Sequence, residues 1–312
     1  MKQEAIRFAY GEALAKLGDE MPDLMVLDAD VSNSTWTKLF AQRHPDRFLN
    51  MGISESNMVC VAAGMASAGL IPVVNTFGFL LCEHSLDQIR ASVAYPGMNV
   101  KLAGHYGGLS DSYDGASHHT ITDLSVMRAI PNMKVVVLSD AAQTRSALKT
   151  ILMEDGPVYF RLCRAATAVF HQENEPFHIG KAIRHSEGAD VMILTTGIVT
   201  WHALLAAEQL AAKGISAGVM EIPTLKPLDE QAIVEAAAKT KIIFTLEESN
   251  VIGGLGSAVT ETVCMHYPIR VIRLGIQDAY TASGSYEGIL AANGISVDAI
   301  VEQIERRVQQ TK

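Results

Sequence analysis

Glu55 is the one charged residue between Gly52 and Leu70, and residues 56–82, which follow it, carry no charge. Gly52 predicts a turn after a strand and Ser54 predicts an N-cap, so Glu55 falls in the first turn of a helix. A carboxylate there can simply interact with the helix dipole, which stabilises the helix by about 0.3–1 kcal/mol. A carboxylate among apolar side chains can also hold or exchange a proton near neutral pH. The segment therefore predicts either a helix-start acid or a general acid–base.

Residues 104–120 (GHYGGLSDSYDGASHHT) form a second candidate site, a glycine-rich loop after a predicted strand. The side chains that bear on chemistry are His105, His118, His119, Asp111 and Asp114. In parallel sheets, ligands bind at loops that follow the carboxyl ends of strands. A zinc site is the alternative, because His and Asp ligate zinc, but the spacing matches no zinc signature. We therefore predict a small-molecule site and no metal on this chain.

Two further motifs lie at predicted strand ends. Arg161, in GPVYFRLCR, carries a guanidinium that suits a bidentate contact with phosphate or carboxylate. An ion pair at the strand end is the alternative for this residue. Phe77 and Phe79 flank Gly78 in TFGFLL, and they predict either ordinary core aromatics or an apolar wall for a flat ring.

These side chains must be positioned by strands and helices, and the sequence shows short apolar runs that alternate with helical patterns. This alternation is typical of a parallel sheet with helices on both faces. The strands predicted in the first half are Leu24–Leu27, Phe48–Met51, Ile71–Asn75, Val100–Ala103, Lys134–Leu138 and Val158–Leu162. The helices predicted between them include Ser56–Ala68, Leu80–Ala94 and Ala141–Met153.

The second half begins after a polar segment, residues 166–180, whose Pro176, Gly180 and lack of periodicity predict a linker. The strands predicted beyond it are Val191–Thr195, Ser216–Glu221, Lys241–Leu246 and Arg270–Leu274. EESNVIGGLGSA (residues 247–258) lacks the spacing of a dinucleotide-binding fingerprint. The sequence thus predicts an α/β fold of two domains, residues 1–165 and 181–312, each a mostly parallel sheet with helices on both faces.

Composition excludes several classes of partner. The 312 residues are 48% hydrophobic, which is enough to fill two cores, and the net charge of −9 without a basic stripe argues against nucleic acid or an anionic membrane. Gly64, Pro72 and Gly78 interrupt the uncharged run and favour an interior helix and strand over a membrane span. The four cysteines, without a C-x-x-C pair, predict buried thiols. The N-terminal amphipathic pattern does not resemble a signal peptide, so we expect a cytoplasmic protein.

Together these stretches resemble the C-terminal half of transketolase and its thiamine-diphosphate relatives. GISESNM, NTFGF, DGASHHTITDLSVMRAIPNM and GPVYFR occur in the same order, followed by PLD and EESNVIGGLGSA. The resemblance spans essentially the whole chain, and DG-x-[ST]-H followed by PNM points to transketolase over other members. It implies a pyrimidine-binding domain over residues 1–165 and a transketolase C-terminal domain over residues 181–312.

The resemblance also implies roles for the matching residues. Glu55 corresponds to a glutamate that hydrogen-bonds the aminopyrimidine ring of thiamine diphosphate and promotes proton loss from the thiazolium carbon. Phe77 and Phe79 would line the slot for that ring, and His118 would contact the donor sugar and handle protons. The further residues implied in substrate binding are Ser32, His105, Asp114 and, at the phosphate end of the sugar, Arg161.

One motif of full-length transketolases is missing from this sequence. The chain has no GDG…N motif, by which those enzymes bind the diphosphate and magnesium. The resemblance therefore implies half of a split transferase, inactive without a separate N-terminal subunit that carries GDG…N and Mg²⁺. We expect a two-plus-two heterotetramer that moves a two-carbon ketol unit between ketose and aldose phosphates. The alternatives are the beta subunit of a 2-oxo acid dehydrogenase, which shares GISE and TF-x-F, and a non-catalytic assembly subunit.

Overall fold

The computed structural model describes residues 2–310, and the strands and helices below are those of this part of the chain. The strands are β1 (Gln3–Ala5), β2 (Leu24–Asp28), β3 (Phe48–Asn50), β4 (Ile71–Phe77), β5 (Lys101–His105), β6 (Lys134–Val137), β7 (Val158–Arg161), β8 (Ala166–Ala168), β9 (Ile183–Ser186), β10 (Val191–Thr195), β11 (Ala217–Glu221), β12 (Thr224–Lys226), β13 (Ile242–Asn250) and β14 (Val271–Ile276).

The α-helices alternate with these strands. They are α1 (Ile6–Glu20), α2 (Ser32–Thr35), α3 (Lys38–Arg43), α4 (Glu55–Ser67), α5 (Leu86–Gln88), α6 (Asp123–Ala129), α7 (Ala141–Met153), α8 (Thr200–Ala212), α9 (Glu230–Lys239), α10 (Leu255–His266), α11 (Tyr286–Ala292) and α12 (Val297–Gln309). Several begin at a side-chain cap, such as Asp140, whose carboxylate accepts a hydrogen bond from the Gln143 N–H at 2.8 Å.

The larger sheet has the strand order β12-β6-β7-β5-β4-β2-β3. All neighbouring pairs are parallel except β12 with β6, which is antiparallel. β4 lies inside this sheet, where Val73 and Val74 are fully buried, as expected for a strand covered on both faces. The parallel order brings the carboxyl ends of β2, β4, β5 and β7 to one edge, which is where open α/β sheets bind ligands.

The smaller sheet has the order β14-β13-β10-β11-β9, with β9 antiparallel to its neighbour β11. Alternate residues of β10 face opposite sides, as the pleat requires. Val191 and Ile193 pack in one core with α8 and α12, whereas Met192 and Leu194 belong to a core that extends into the first domain. The two domains therefore share apolar contacts, and β12, which comes from the second half of the chain, completes the first sheet.

The predicted fold class is confirmed, and most predicted strands lie within two residues of their observed bounds. The helix predicted over Leu80–Ala94 differs, because it contains two π-helical turns, Leu80–His84 and Ile89–Ala94, around the short α5. These wider turns accommodate extra residues within a helix. They keep Leu81 and Ile89 fully buried.

Three other expectations need correction. Residues 166–180, predicted as a linker, contain β8, which pairs with β1 in a ribbon too short to show a periodicity. β12 was not expected at all. Cys82 and Cys163 are buried as predicted, but Cys60 and Cys264 are exposed. Within residues 2–310, no helix combines the length and apolarity needed to cross a membrane.

Candidate functional site

Glu55 is buried at the start of α4, and 4% of its surface is exposed. Within residues 2–310 its carboxylate has no hydrogen bond or ion pair. Ser54 precedes the helix as predicted, but its hydroxyl donates to the Met51 carbonyl at 2.7 Å and caps no N–H group of the helix. A carboxylate without a donor in the protein can accept hydrogen bonds from a ligand. Glu55 is therefore suited to receive a polar atom of a bound molecule.

Four aromatic side chains gather near the ends of β4 and β5. The rings of Phe77 and Phe79 are nearly parallel, with an interplanar angle of 23° and centroids 6.5 Å apart. The Tyr106 ring packs edge-on against Phe77 at 4.5 Å, and the His118 ring lies 5.2 Å from Phe79. We call Phe77, Phe79, Tyr106 and His118 the aromatic cluster. It offers flat apolar surface beside a histidine that can exchange protons.

The first turn of α4 is tied to the segment that follows the aromatic cluster. The Ser56 hydroxyl donates to the His84 carbonyl at 3.3 Å, and α4 packs against both β4 and the π-helical turns. Gly78 lets the chain pass close to residue 120, since a Cβ at position 78 would lie 2.7 Å from Thr120 Cγ2. The Thr120 hydroxyl then accepts a hydrogen bond from the Phe79 N–H at 3.1 Å. Glu55 and the aromatic cluster thus belong to one packed region.

The loop of residues 104–120 is held in place by the second domain. Leu109 N–H donates to Glu248 Oε1 at 2.6 Å, and Thr281 Oγ1 lies 2.6 Å from His119 Nδ1. Burial raises the pKa of Glu248 to about 7. His119, which the sequence placed among the candidates, is therefore a contact between domains, while its neighbour His118 remains half-buried in the aromatic cluster.

His105 lies in the interior and not at the cleft. It is 1% exposed, its Nε2 lies 3.2 Å from Asn75 Oδ1, and Tyr10 donates to the same Asn75 oxygen at 2.6 Å. Burial, with a smaller contribution from the Arg7 charge, lowers the pKa of His105 to about 3, so the ring is neutral. The substrate role expected for His105 is not supported by this position. The next residue, Tyr106, reaches the aromatic cluster instead.

Arg161 is also interior, in the ion pair that the sequence left open as the alternative. Its side chain is 3% exposed, and Nε lies 3.1 Å from Asp123 Oδ2. Nη2 donates to the carbonyl oxygens of Thr120 and, at 3.1 Å, of Glu248. The Asp123 carboxylate holds the pKa of Arg161 above its usual value. With its guanidinium enclosed in this way, Arg161 joins the two domains and has no surface to offer a phosphate.

Arg164, three residues further on, is the accessible guanidinium that sequence reasoning missed. Its side chain is 37% exposed, and Nη1 pairs with Asp111 and lies 3.8 Å from Asp114 Oδ2. It also lies over the Tyr106 ring, 5.2 Å from the centroid. The motif GPVYFRLCR contains both arginines. The end of the strand distinguishes them, because β7 ends at Arg161 and Arg164 lies in the loop that follows.

A second guanidinium reaches Tyr106 from α1. Arg7 Nη1 donates to Tyr106 Oη at 2.9 Å and to the Ser34 carbonyl of α2 at 3.1 Å. Ser32, a predicted substrate contact, begins α2 and is half-buried. Asp114, also predicted, is exposed on the 104–120 loop beside Arg164. Tyr106 therefore lies between two positive charges, close to the helix that carries Ser32.

Fold and site together define a two-domain α/β protein with an aromatic cluster at the carboxyl edge of a parallel sheet and, near it, a buried acid that has no partner among residues 2–310. The family model for the transketolase pyrimidine-binding domain matches residues 2–169, and that for the transketolase C-terminal domain matches residues 180–300. The chain belongs to the transketolase family.

Two relatives of similar length are named as a subunit or as a section of a transketolase. The chain is 39% identical to the 6-deoxy-6-sulfo-D-fructose transketolase subunit SqwH of Clostridium sp. (strain MSTE9), over 96% of this chain and 94% of that one. It is 37% identical to the putative transketolase C-terminal section of Methanocaldococcus jannaschii, over 98% and 97%. A solved split-gene transketolase, described as an inactive beta4 tetramer, superposes with a TM-score of 0.90 at 42% identity and 99% coverage of both chains.

Proposed function

We propose that this chain is the C-terminal subunit of a split transketolase, which transfers a two-carbon ketol unit between ketose and aldose phosphates with thiamine diphosphate. A separate N-terminal subunit with a GDG…N motif would hold the diphosphate and Mg²⁺, in a two-plus-two complex, and this chain would be inactive without it. The single observation that carries the proposal is Glu55, a residue 4% exposed at the head of α4 whose carboxylate has no hydrogen bond or ion pair within residues 2–310.

The residues present fit the pyrimidine end of the cofactor. Glu55 would accept a hydrogen bond from a ring nitrogen and exchange a proton with it. Phe77 and Phe79 would cover the ring and exclude water. Thiamine diphosphate, when bound, supplies the carbon nucleophile that attacks the donor carbonyl.

Other side chains at the same edge would act on the sugar. His118, half-buried against Phe79, would donate and accept protons at the sugar hydroxyls. Arg164 and Arg7 flank Tyr106, and two guanidinium groups beside one phenol favour an anionic sugar end. We therefore propose that Arg164, and not Arg161, contacts the anionic end of the sugar, together with Ser32 of α2 and Asp114 of the 104–120 loop.

The names of relatives support the split. The Clostridium protein is called a transketolase subunit, the Methanocaldococcus protein a C-terminal section, and the solved structure a split-gene transketolase. This chain spans 94% and 97% of the first two and 99% of the third. Since the first relative is named for a sulfonated fructose, anionic sugars other than phosphates belong among the substrates to be assayed.

The experiment is to purify the tagged chain from its native cells, identify any stoichiometric companion by mass spectrometry, and reconstitute the complex. We expect a companion with GDG…N, ketol transfer by the complex, and none by either chain alone. Glu55→Gln removes the carboxylate but keeps the shape, and it should abolish transfer while the complex still assembles. Undiminished transfer by this variant would refute the assigned role and favour a non-catalytic assembly subunit. Pyruvate decarboxylation would favour the 2-oxo acid dehydrogenase alternative.

A further inference from the structure

A cluster of titratable groups lies away from the aromatic cluster, where the two domains meet. Glu221 ends β11 and is fully buried, His185 lies on the neighbouring strand β9, and His171 follows β8. Glu221 Oε2 lies 3.0 Å from His171 Nε2 and 3.1 Å from His185 Nε2. These three atoms all lie within 4.8 Å of one another. Three segments, remote in sequence, thus direct one donor atom each at a common point.

Other polar groups surround the cluster, and Gln143 Nε2 lies 3.2 Å from His171 Nε2. Glu221 Oε1 accepts hydrogen bonds from Ser139 Oγ at 2.5 Å and Gln143 Nε2 at 2.7 Å. His171 Nδ1 lies 3.2 Å from Asp140 Oδ2, without a hydrogen bond between the two atoms. A carboxylate beside the distal nitrogen of a histidine can orient Nε2 toward a metal ion.

Two buried carboxylates lie at this point. Asp140 and Glu221 are both fully buried, and within residues 2–310 their ion pairs involve only His171 and His185. Buried carboxylates require a cation beside them, which either a protonated imidazole or a divalent ion supplies.

We propose that His171, His185 and Glu221 form a zinc-type transition-metal site that fastens the segment after β8 to the sheet of the second domain. Two imidazole nitrogens and one carboxylate oxygen are ligands that Zn²⁺ accepts, and tetrahedral bond lengths of about 2.0–2.2 Å place ligand atoms about 3.3 Å apart. The two separations from Glu221 Oε2, 3.0 and 3.1 Å, need to open only slightly, and the two imidazole nitrogens lie within 4.8 Å of each other. The His185 side chain is 18% exposed, which gives an ion and a fourth, water ligand a route from solvent.

This site is distinct from the proposed cofactor site and was not predicted from sequence, where no metal was expected on this chain. His171, His185 and Glu221 are spread over residues 171–221 without a zinc spacing. Only the pairing of β9 with β11, and the return of the chain after β8 toward Asp140, bring them together.

The test uses the full chain, stripped with a chelator and then titrated with Zn²⁺ and with Co²⁺ as a spectroscopic probe. We expect one Zn²⁺ bound per chain, a rise in melting temperature on Zn²⁺ addition, and visible Co²⁺ bands of a tetrahedral site. His185→Gln removes one ligand from the exposed side of the cluster and should weaken Zn²⁺ binding at least tenfold, by analogy with the loss of about 10–100-fold when a supporting partner is removed.

The matched control is His178→Gln, which removes an exposed histidine from the same polar segment and should bind Zn²⁺ as the unchanged chain does. Melting curves of the metal-free variants establish that each is folded, and if His171→Gln fails to fold, His185→Gln decides the matter. Absence of saturable Zn²⁺ or Co²⁺ binding by the stripped chain would overturn the proposal. Binding by His185→Gln equal to that of His178→Gln would overturn it as well.

Discussion

Replacing Glu248 by Gln should remove part of the pH dependence of the free energy of unfolding. Glu248 is 3% exposed, and burial raises its pKa from 4.5 to about 7 despite the nearby Arg161 charge and the Leu109 N–H. Between those two pH values the folded chain retains a proton that the unfolded chain has released. The contribution of Glu248 to stability is therefore best at low pH, falls as the pH rises through this window, and is at its worst above about 7.

The magnitude follows from the distance between the two pKa values. At about 1.4 kcal/mol per pKa unit, the interval from 4.5 to about 7 corresponds to about 3 kcal/mol. Glu248→Gln has nearly the same shape and keeps an oxygen for the Leu109 N–H, but it carries no charge at any pH. We expect the free energy of unfolding of the variant, relative to the unchanged chain, to rise by about that amount between pH 4.5 and pH 8.

Urea denaturation at a series of pH values and one protein concentration measures this difference. Other buried acids, such as Glu247, are present in both proteins and cancel in the comparison. Glu302→Gln, at an exposed position of α12, is the matched control for the loss of one carboxylate at the surface. A flat difference for Glu248→Gln, or one that falls as pH rises, would refute the reasoning that burial dominates at this carboxylate.

Three further outcomes follow from the same structure. Gly104→Ala would place a Cβ 2.6 Å from Tyr159 Cε2, so overpacking should lower the free energy of unfolding by about 1–3 kcal/mol, as measured by urea denaturation. An unchanged denaturation midpoint would argue against this packing. Because the pKa of His105 is about 3, its ring should stay neutral from pH 8 to pH 5 when observed by NMR. Its contribution to the stability of the fold should decline as the pH falls from 6.5 toward 3. A ring that titrates near 6.5 would contradict the buried placement. Arg164→Lys keeps the charge beside Asp111 but loses the bidentate fork, so KM for an anionic sugar should rise about tenfold in the reconstituted complex, and an unchanged KM would remove Arg164 from the site.

The fold was largely predictable because its strands are short apolar runs of the kind that parallel sheets bury. Val191–Thr195 is the clearest example, since all five residues are buried and the predicted and observed bounds are the same. β12 was not predictable in this way. It is three residues long and is a strand only because β6, far away in sequence, offers it an open edge.

The site was predictable in its location but less so in its individual residues. Glu55 was identified by its isolation in an apolar segment, and Phe77 and Phe79 by their place at a strand end. His105 and Arg161 lie in the interior, because a motif fixes the strand and the loop but not which of two nearby polar side chains turns outward. The pleat and the turn after β5 give that position to Tyr106, and the loop after β7 gives it to Arg164.

The contribution of β12 to the first sheet has a consequence for how the protein is made. A ribosome releases the chain from its N-terminus onward, so the first sheet emerges with the edge of β6 bare and waits for Thr224–Lys226 before it is complete. Exposed strand edges recruit other strands and promote aggregation. A fragment that ends within residues 166–180 would retain this edge permanently. Cutting the gene between the two domains would therefore remove a structural part from the first domain, and neither half should be expected to behave as a self-sufficient module.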